Sequence, residues 1–138
     1  MRGTLKSGRP ARKLVDLMKV RFQASGGSFE GVLDEKPISR EIIEYLPIQA
    51  RVMRWGEEIY FDVPVKVANT KPTREVRVGD IAYWPEGPCL CIFFGKTPAS
   101  KDQEPRPASD VTIIGYTDAP VALLQSVKEG AAISLEAR

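Results

Sequence analysis

Apolar and polar positions alternate along much of this chain, and the alternation predicts strands. Met18-Lys19-Val20-Arg21-Phe22 has the period of two expected of a strand with one buried face. Ser25-Gly26-Gly27 supplies a turn and Ser28–Asp34 returns as a second strand, completing a hairpin. Gly26-Gly27-Ser28 lacks the lysine and the following helix of a phosphate-binding loop, so it reads as that turn. The period then changes. Ile38, Ile42 and Leu46 repeat every four residues and predict a short helix, with Ser39 as N-cap, Glu41 in the first turn and Pro47 as the stop. Pro37 holds the segment before it extended. Gln49–Trp55 and Glu57–Val63 follow as strands meeting at Gly56, and Val63–Val67 continues extended. In the second of these strands Glu57, Ile59 and Phe61 share one face while Glu58 and Tyr60 share the other. The adjacent carboxylates therefore point apart and cannot form a catalytic dyad.

The densest apolar stretch lies at Arg77–Pro98. Ile81–Trp84 and Cys89–Phe94 read as strands joined by the tight turn Pro85-Glu86-Gly87-Pro88. Before it, Asn69–Arg74 with Pro72 is a loop, and Glu75–Val78 leads in. After it, Gly95–Asp110 carries Pro98, Pro105 and Pro107 and shows no regular pattern. A loop of that length is either a surface excursion held by prolines or part of a binding surface. Val111–Tyr116 is a strand. A second helix is predicted from Asp118 as N-cap, with Pro120 in its first turn, Val121, Leu124 and Val127 inward, and Gly130 as its stop. Ala131–Glu136 alternates as the last strand. About eight strands and two short helices, without internal repeat, predict a mainly β domain. Its antiparallel strands remove their edges by closing into a barrel, and the helices cover its ends.

Composition narrows the chemistry. With 138 residues, 43% of them hydrophobic and 28% charged, the chain has the size and make-up of one globular domain. It has no histidine, which removes the usual serine and cysteine triads and most general acid–base schemes. No metal site is expected, since Cys89 and Cys91 alone match no zinc spacing. The two cysteines fall on one face of a strand and read as small apolar residues, the alternative being a redox pair. No run of about 18 apolar residues predicts a membrane span, and the N-terminus lacks the apolar core of a secretory signal. A cytoplasmic location is therefore expected. The net charge of +2 is unevenly spread: Arg2, Lys6, Arg9, Arg12, Lys13, Lys19 and Arg21 face only Asp16 in the first 21 residues. The domain organisation predicted is a basic, mobile N-terminal arm at 1–13 and a barrel domain at 14–138. That arm has no interleaved aromatics and the rest is mildly acidic, so nucleic acid is disfavoured as a partner.

Four motifs in order carry a resemblance. They are Trp55-Gly56-Glu57-Glu58-Ile59-Tyr60-Phe61, Val78-Gly79-Asp80-Ile81-Ala82-Tyr83-Trp84-Pro85, Ile92-Phe93-Phe94-Gly95-Lys96-Thr97-Pro98 and Pro107-Ala108-Ser109. Together they resemble a family of small prokaryotic cyclophilin-like proteins of unassigned function, over roughly residues 17–137. The resemblance implies a closed eight-stranded cyclophilin-like β-barrel capped by two short α-helices. A fainter similarity reaches the peptidyl-prolyl isomerases themselves. Ile81–Pro88 followed by Cys91-Ile92-Phe93-Phe94 looks like their strand, Gly-Pro turn and Phe-Phe strand. Val111-Thr112-Ile113-Ile114-Gly115 followed by a helix looks like their final strand–helix pair. The similarity implies that Phe93 or Phe94 corresponds to a phenylalanine lining the proline pocket. The Phe-His-Arg and Gln-Gly-Gly segments of those enzymes are missing, and Arg54, Arg74 and Arg77 sit in no matching context.

Outward residues of neighbouring segments form the expected ligand-binding set. Glu58 and Tyr60 share a strand face, Tyr83 and Trp84 end the central strand, and Phe93 and Phe94 lead to Thr97. Aromatic rings beside a carboxylate and hydroxyls suit a small molecule or a peptide, including one that carries a cation over a ring. Alternation sends about half of these aromatics into the core instead. The expectation is a binding module for a small molecule or proline-containing peptide, without efficient catalysis, catalytic residue or cofactor. The alternatives are a weak or divergent peptidyl-prolyl cis-trans isomerase and an interaction protein that docks another chain. Oligomeric state is left open.

Overall fold

The computed structural model describes residues 18–138. The basic arm predicted at 1–13 lies outside the described residues, as do Leu14 to Leu17. Strands β1 (Lys19–Ala24) and β2 (Gly27–Leu33) open the domain, followed by helix α1 (Pro37–Glu44). Next come β3 (Ile48–Arg51), β4 (Met53–Arg54), β5 (Glu58–Asp62), β6 (Asp80–Trp84) and β7 (Cys89–Phe93). Strand β8 (Thr112–Tyr116), helix α2 (Val121–Gln125) and strand β9 (Ala132–Ala137) complete it. Every strand pairing is antiparallel, in the order β3-β9-β1-β2-β8-β6-β7-β5-β4.

The two ends of that order are consecutive in the chain. The single strand expected at Gln49–Trp55 is interrupted at Val52, so that its first half pairs with β9 and its second half with β5. Val52 keeps both its backbone groups satisfied across the seam, donating to Ala131 O at 2.9 Å and accepting from Gly130 N–H at 2.7 Å. Nine strand segments thus replace the eight expected, and they form the mainly β, nearly closed barrel with two short helices that the pattern predicted. Closure leaves no long row of unpaired backbone groups at an edge.

Inward alternation fills the barrel. Phe22, Leu33, Ile59, Phe61, Ile81, Tyr83, Leu90 and Ile92 are buried in one cluster. Phe22 stacks on Phe29 at 4.8 Å between centroids and meets Phe61 edge-on at 6.4 Å. Ile38 and Ile42 of α1 and Leu124 of α2 are buried in the same cluster, so the helices serve as plugs. The outer face of the sheet at β6 and β7 is covered as well. Ala82, Cys89, Cys91 and Phe93 pack with Val76 and Val111 into a second cluster beneath the long loops. Strand β7 is consequently buried along its whole length.

Both helix starts differ from expectation. Ser39 is inside α1, and Pro37 occupies the first turn, where its missing N–H costs nothing. The capping work passes to Asp34, whose Oδ1 accepts the Lys36 N–H at 3.1 Å and the Ser39 hydroxyl at 2.7 Å. Likewise α2 follows Pro120 rather than Asp118. Thr117 organises the approach by donating to Glu30 O at 2.7 Å and accepting Ala119 N–H at 3.1 Å. Among the described residues no helix is long and apolar enough to cross a membrane.

Candidate functional site

Between β4 and β5 the chain turns within four residues, with Trp55 N–H donating to Glu58 O at 3.0 Å. Gly56 makes this possible: its φ is +61°, and a Cβ there would lie 2.9 Å from Lys96 O and Thr97 Cα. The turn presents Trp55 and Glu58 to the outer face of the sheet. Alternation adds Tyr60 from β5, and the register that pairs Tyr60 with Cys91 places the Cys91 thiol next to them. Trp84 of β6 closes one side and meets Tyr60 edge-on, ring centroids 6.0 Å apart.

Pro107, Ala108 and Val111 of the covering loop form the remaining wall of a pocket of about 170 Å³. That loop is pinned at two places. Trp84 Nε1–H donates to Ser109 Oγ at 2.7 Å, and the Ser109 hydroxyl donates to Glu86 Oε2 at 2.9 Å. At its other end Thr97 Oγ1 donates to Arg106 O at 2.6 Å, and Ser100 Oγ donates to Glu104 O at 2.6 Å. The pocket roof is therefore held by side-chain hydrogen bonds at both ends although it contains no strand.

Glu58 is the electrostatic centre of this pocket. The residue is only 6% exposed, and among the described residues no lysine or arginine lines the cavity. Burial pushes its carboxyl up to about 7, while a hydrogen bond from the Cys91 thiol acts weakly in the opposite direction. Burial, and then the nearby Glu58 charge, raises Cys91 well above the ordinary thiol range. Cys89 is pushed up to about 12 by burial and by its bond to Asp62 Oδ1 at 3.3 Å. Both cysteines are free and buried. Protonated thiols of this kind donate hydrogen bonds but make poor nucleophiles. The Tyr60 hydroxyl is also raised, by burial first and by Glu58 second.

Of Glu58, Tyr60, Tyr83, Trp84, Phe93, Phe94 and Thr97, the structure brings Glu58, Tyr60 and Trp84 together. Tyr83 points into the barrel, where its hydroxyl donates to Val65 O at 2.7 Å and accepts Val67 N–H at 2.9 Å. Phe93 faces outward but is sealed in the second cluster, and Phe94 belongs to the barrel core. Thr97 is buried as the loop staple just described. Tyr83 and Phe94 turn into the barrel and Thr97 is spent on the loop, whereas Phe93 lies on the outer face. Loops cover the outer face here, so facing outward on β7 does not mean reaching solvent. Trp55, Cys91, Pro107, Ala108 and Val111 were not anticipated, although Trp55 and Pro107-Ala108 stand in the motifs that carried the resemblance.

The available guanidiniums lie elsewhere. Arg54 donates to Gln125 O, Val127 O and Gly56 O at 3.0, 2.9 and 3.2 Å, and it lies 5.3 Å over the Phe94 ring. It ties the end of α2 to the β4–β5 turn. Glu57, on the opposite face from Glu58, joins this network through Gln125 Nε2 at 2.9 Å and Arg54 at 3.4 Å. Arg74 and Arg77 border a wider depression of about 660 Å³ on the other side of the 104–106 segment. That trough mixes both signs of charge, and Arg74 is already paired with Asp110 at 3.0 Å. It offers no buried polar group comparable to Glu58.

Comparison with known proteins agrees with this architecture. A family model described as cyclophilin-like matches residues 18–136. The solution structure of the hypothetical protein AF2241 from Archaeoglobus fulgidus is similar, with 37% identity, a TM-score of 0.74, and coverage of 88% of this chain and 95% of that one. No curated protein matches this chain. The family match covers nearly the whole of the described barrel, and the chain belongs to the cyclophilin-like family.

Proposed function

We propose that the protein is a binding module that holds a small molecule, or one side chain of a proline-containing peptide, in the pocket at Glu58, without efficient catalysis. One observation carries this reading: a buried carboxyl shares its pocket with three aromatic rings, and no cation of the described residues lines it. Leaving such a group buried and underbonded is costly, and a bound ligand supplies the missing contacts. Ordinary drug-sized sites occupy roughly 300–1,000 Å³. A cavity of about 170 Å³ therefore takes a head group or a single side chain and leaves the rest of the ligand outside.

Efficient prolyl isomerisation needs a fixed donor aimed at the prolyl nitrogen to weaken an amide barrier of roughly 18–20 kcal/mol. Arg54 is engaged with backbone carbonyls on the far side of the turn, and among the described residues no guanidinium lines the pocket. Free thiols fit a reducing compartment, so the cytoplasm is the proposed setting. The test is amide-resolved NMR with an Ala-Ala-Pro-Phe peptide and a set of small fragments, together with exchange spectroscopy of the peptide bond. Shifts should centre on Trp55, Glu58, Tyr60, Trp84 and Ala108, with cis–trans exchange unaccelerated. Shifts confined to the Arg74–Arg77 trough would contradict the site. Exchange acceleration abolished by Trp84→Ala would establish an isomerase instead.

A further inference from the structure

Resting on that reading, we propose that the group held in the pocket is an alkylammonium, with the Glu58 carboxylate as its counter-charge and Trp55, Tyr60 and Trp84 as its walls. A carboxylate offers about four lone-pair positions, and the nearby donor among the pocket's side chains is the Cys91 thiol, a weak one. Among the described residues no lysine or arginine lines the cavity to fill the others. A protonated amine brings both the positive charge and the N–H donors that this buried group lacks. A quaternary ammonium would satisfy the rings but not the lone pairs. A neutral apolar head would satisfy neither, and an anion would be repelled.

The aromatic walls act in the same direction, because the electron-rich faces of Trp and Tyr attract a cation most strongly when it is stripped of water. Trp84 has no freedom to turn away, since its indole N–H is fixed on Ser109. The other titratable groups in the pocket are Tyr60 on the same strand and Cys91 on β7, and both stay protonated at neutral pH. Trp55, Trp84, Pro107, Ala108 and Val111 contribute no charge. Cys89, Asp62, Glu86 and Glu129 lie around the pocket but do not line it, so among the described lining residues Glu58 is the group that sets the pH dependence of amine binding between 6 and 8.

The source of the ammonium is either a free amine or a lysine side chain of a partner. The full chain is titrated at pH 8 with benzylamine, benzyl alcohol and benzoate, and in parallel with Nα-acetyl-lysine amide and its Nε-acetylated form, following tryptophan fluorescence and amide shifts. Benzylamine should bind at least tenfold more tightly than benzyl alcohol, with no detectable binding of benzoate. Its affinity should fall several-fold from pH 8 to pH 6, and Glu58→Gln should erase its advantage. A lysine amide that outcompetes benzylamine identifies a side chain as the source, and the reverse order identifies a free amine. Equal binding of amine and alcohol in the wild type, or a preference that survives Glu58→Gln, overturns the ammonium assignment while leaving a binding pocket. No perturbation at Trp55 or Trp84 by any probe overturns both.

Discussion

Replacing Phe61 by alanine should cost about 3–5 kcal/mol of stability, while the same change at its neighbour Tyr60 should cost well under half of that. Phe61 is 1% exposed and packs edge-on against Phe22 inside the barrel. Its removal opens a cavity where rigid strands on all sides limit collapse. Tyr60 projects from the opposite face, half-buried, with Trp84 as its ring partner. Losing it widens the pocket mouth and leaves the barrel core untouched. Denaturant unfolding of the two variants checks this directly. Comparable losses would mean that the strand does not separate a core face from a site face.

Glu58→Gln should stabilise the protein by about 2–3 kcal/mol at pH 8 and change it little at pH 5. Burial raises the carboxyl from 4.5 to about 7 on folding. Between those two values the folded chain holds a proton that the unfolded chain has released, so stability falls as pH rises. The contribution is fully present below about pH 4.5, is lost through pH 7 and is flat above it. Glutamine stays neutral throughout and still accepts the Cys91 thiol through its carbonyl oxygen, so the variant should show no such decline. Urea midpoints measured from pH 5 to pH 8 test it, and parallel pH profiles for the two proteins would contradict it. A residue whose removal strengthens the fold serves something other than stability, and under the proposed function that is ligand contact.

Much of this arrangement is legible in the residues themselves. Alternation along Glu58-Ile59-Tyr60-Phe61 separates pocket from core correctly, and alternation along Ile81–Trp84 sends Tyr83 inward and Trp84 outward. The apolar run Cys89–Phe94 carries a different message. A strand without alternation is covered on both faces, and that explains why Phe93 and Phe94 are both buried without either reaching the pocket. Val52 could not be identified as a seam, because strand propensity is local whereas the partner of each half is set by closure of the sheet. Ser39 and Asp118 satisfy the composition of an N-cap, yet Pro37 and Pro120 fix where each helix begins. Pro107, Ala108 and Val111 come to the site through the Ser109 and Thr97 bonds, which join positions 25 and 9 residues apart. No periodic pattern encodes such contacts.

The Glu58 carboxyl is enclosed, and burial raises it to about 7. Carbon-detected NMR of the Glu58 side-chain carboxyl, followed from pH 4 to pH 9 in the full chain, reads that property without a ligand. A titration midpoint near 7 is the predicted result. A midpoint near 4.5 would show a solvated carboxylate and contradict the pocket as described.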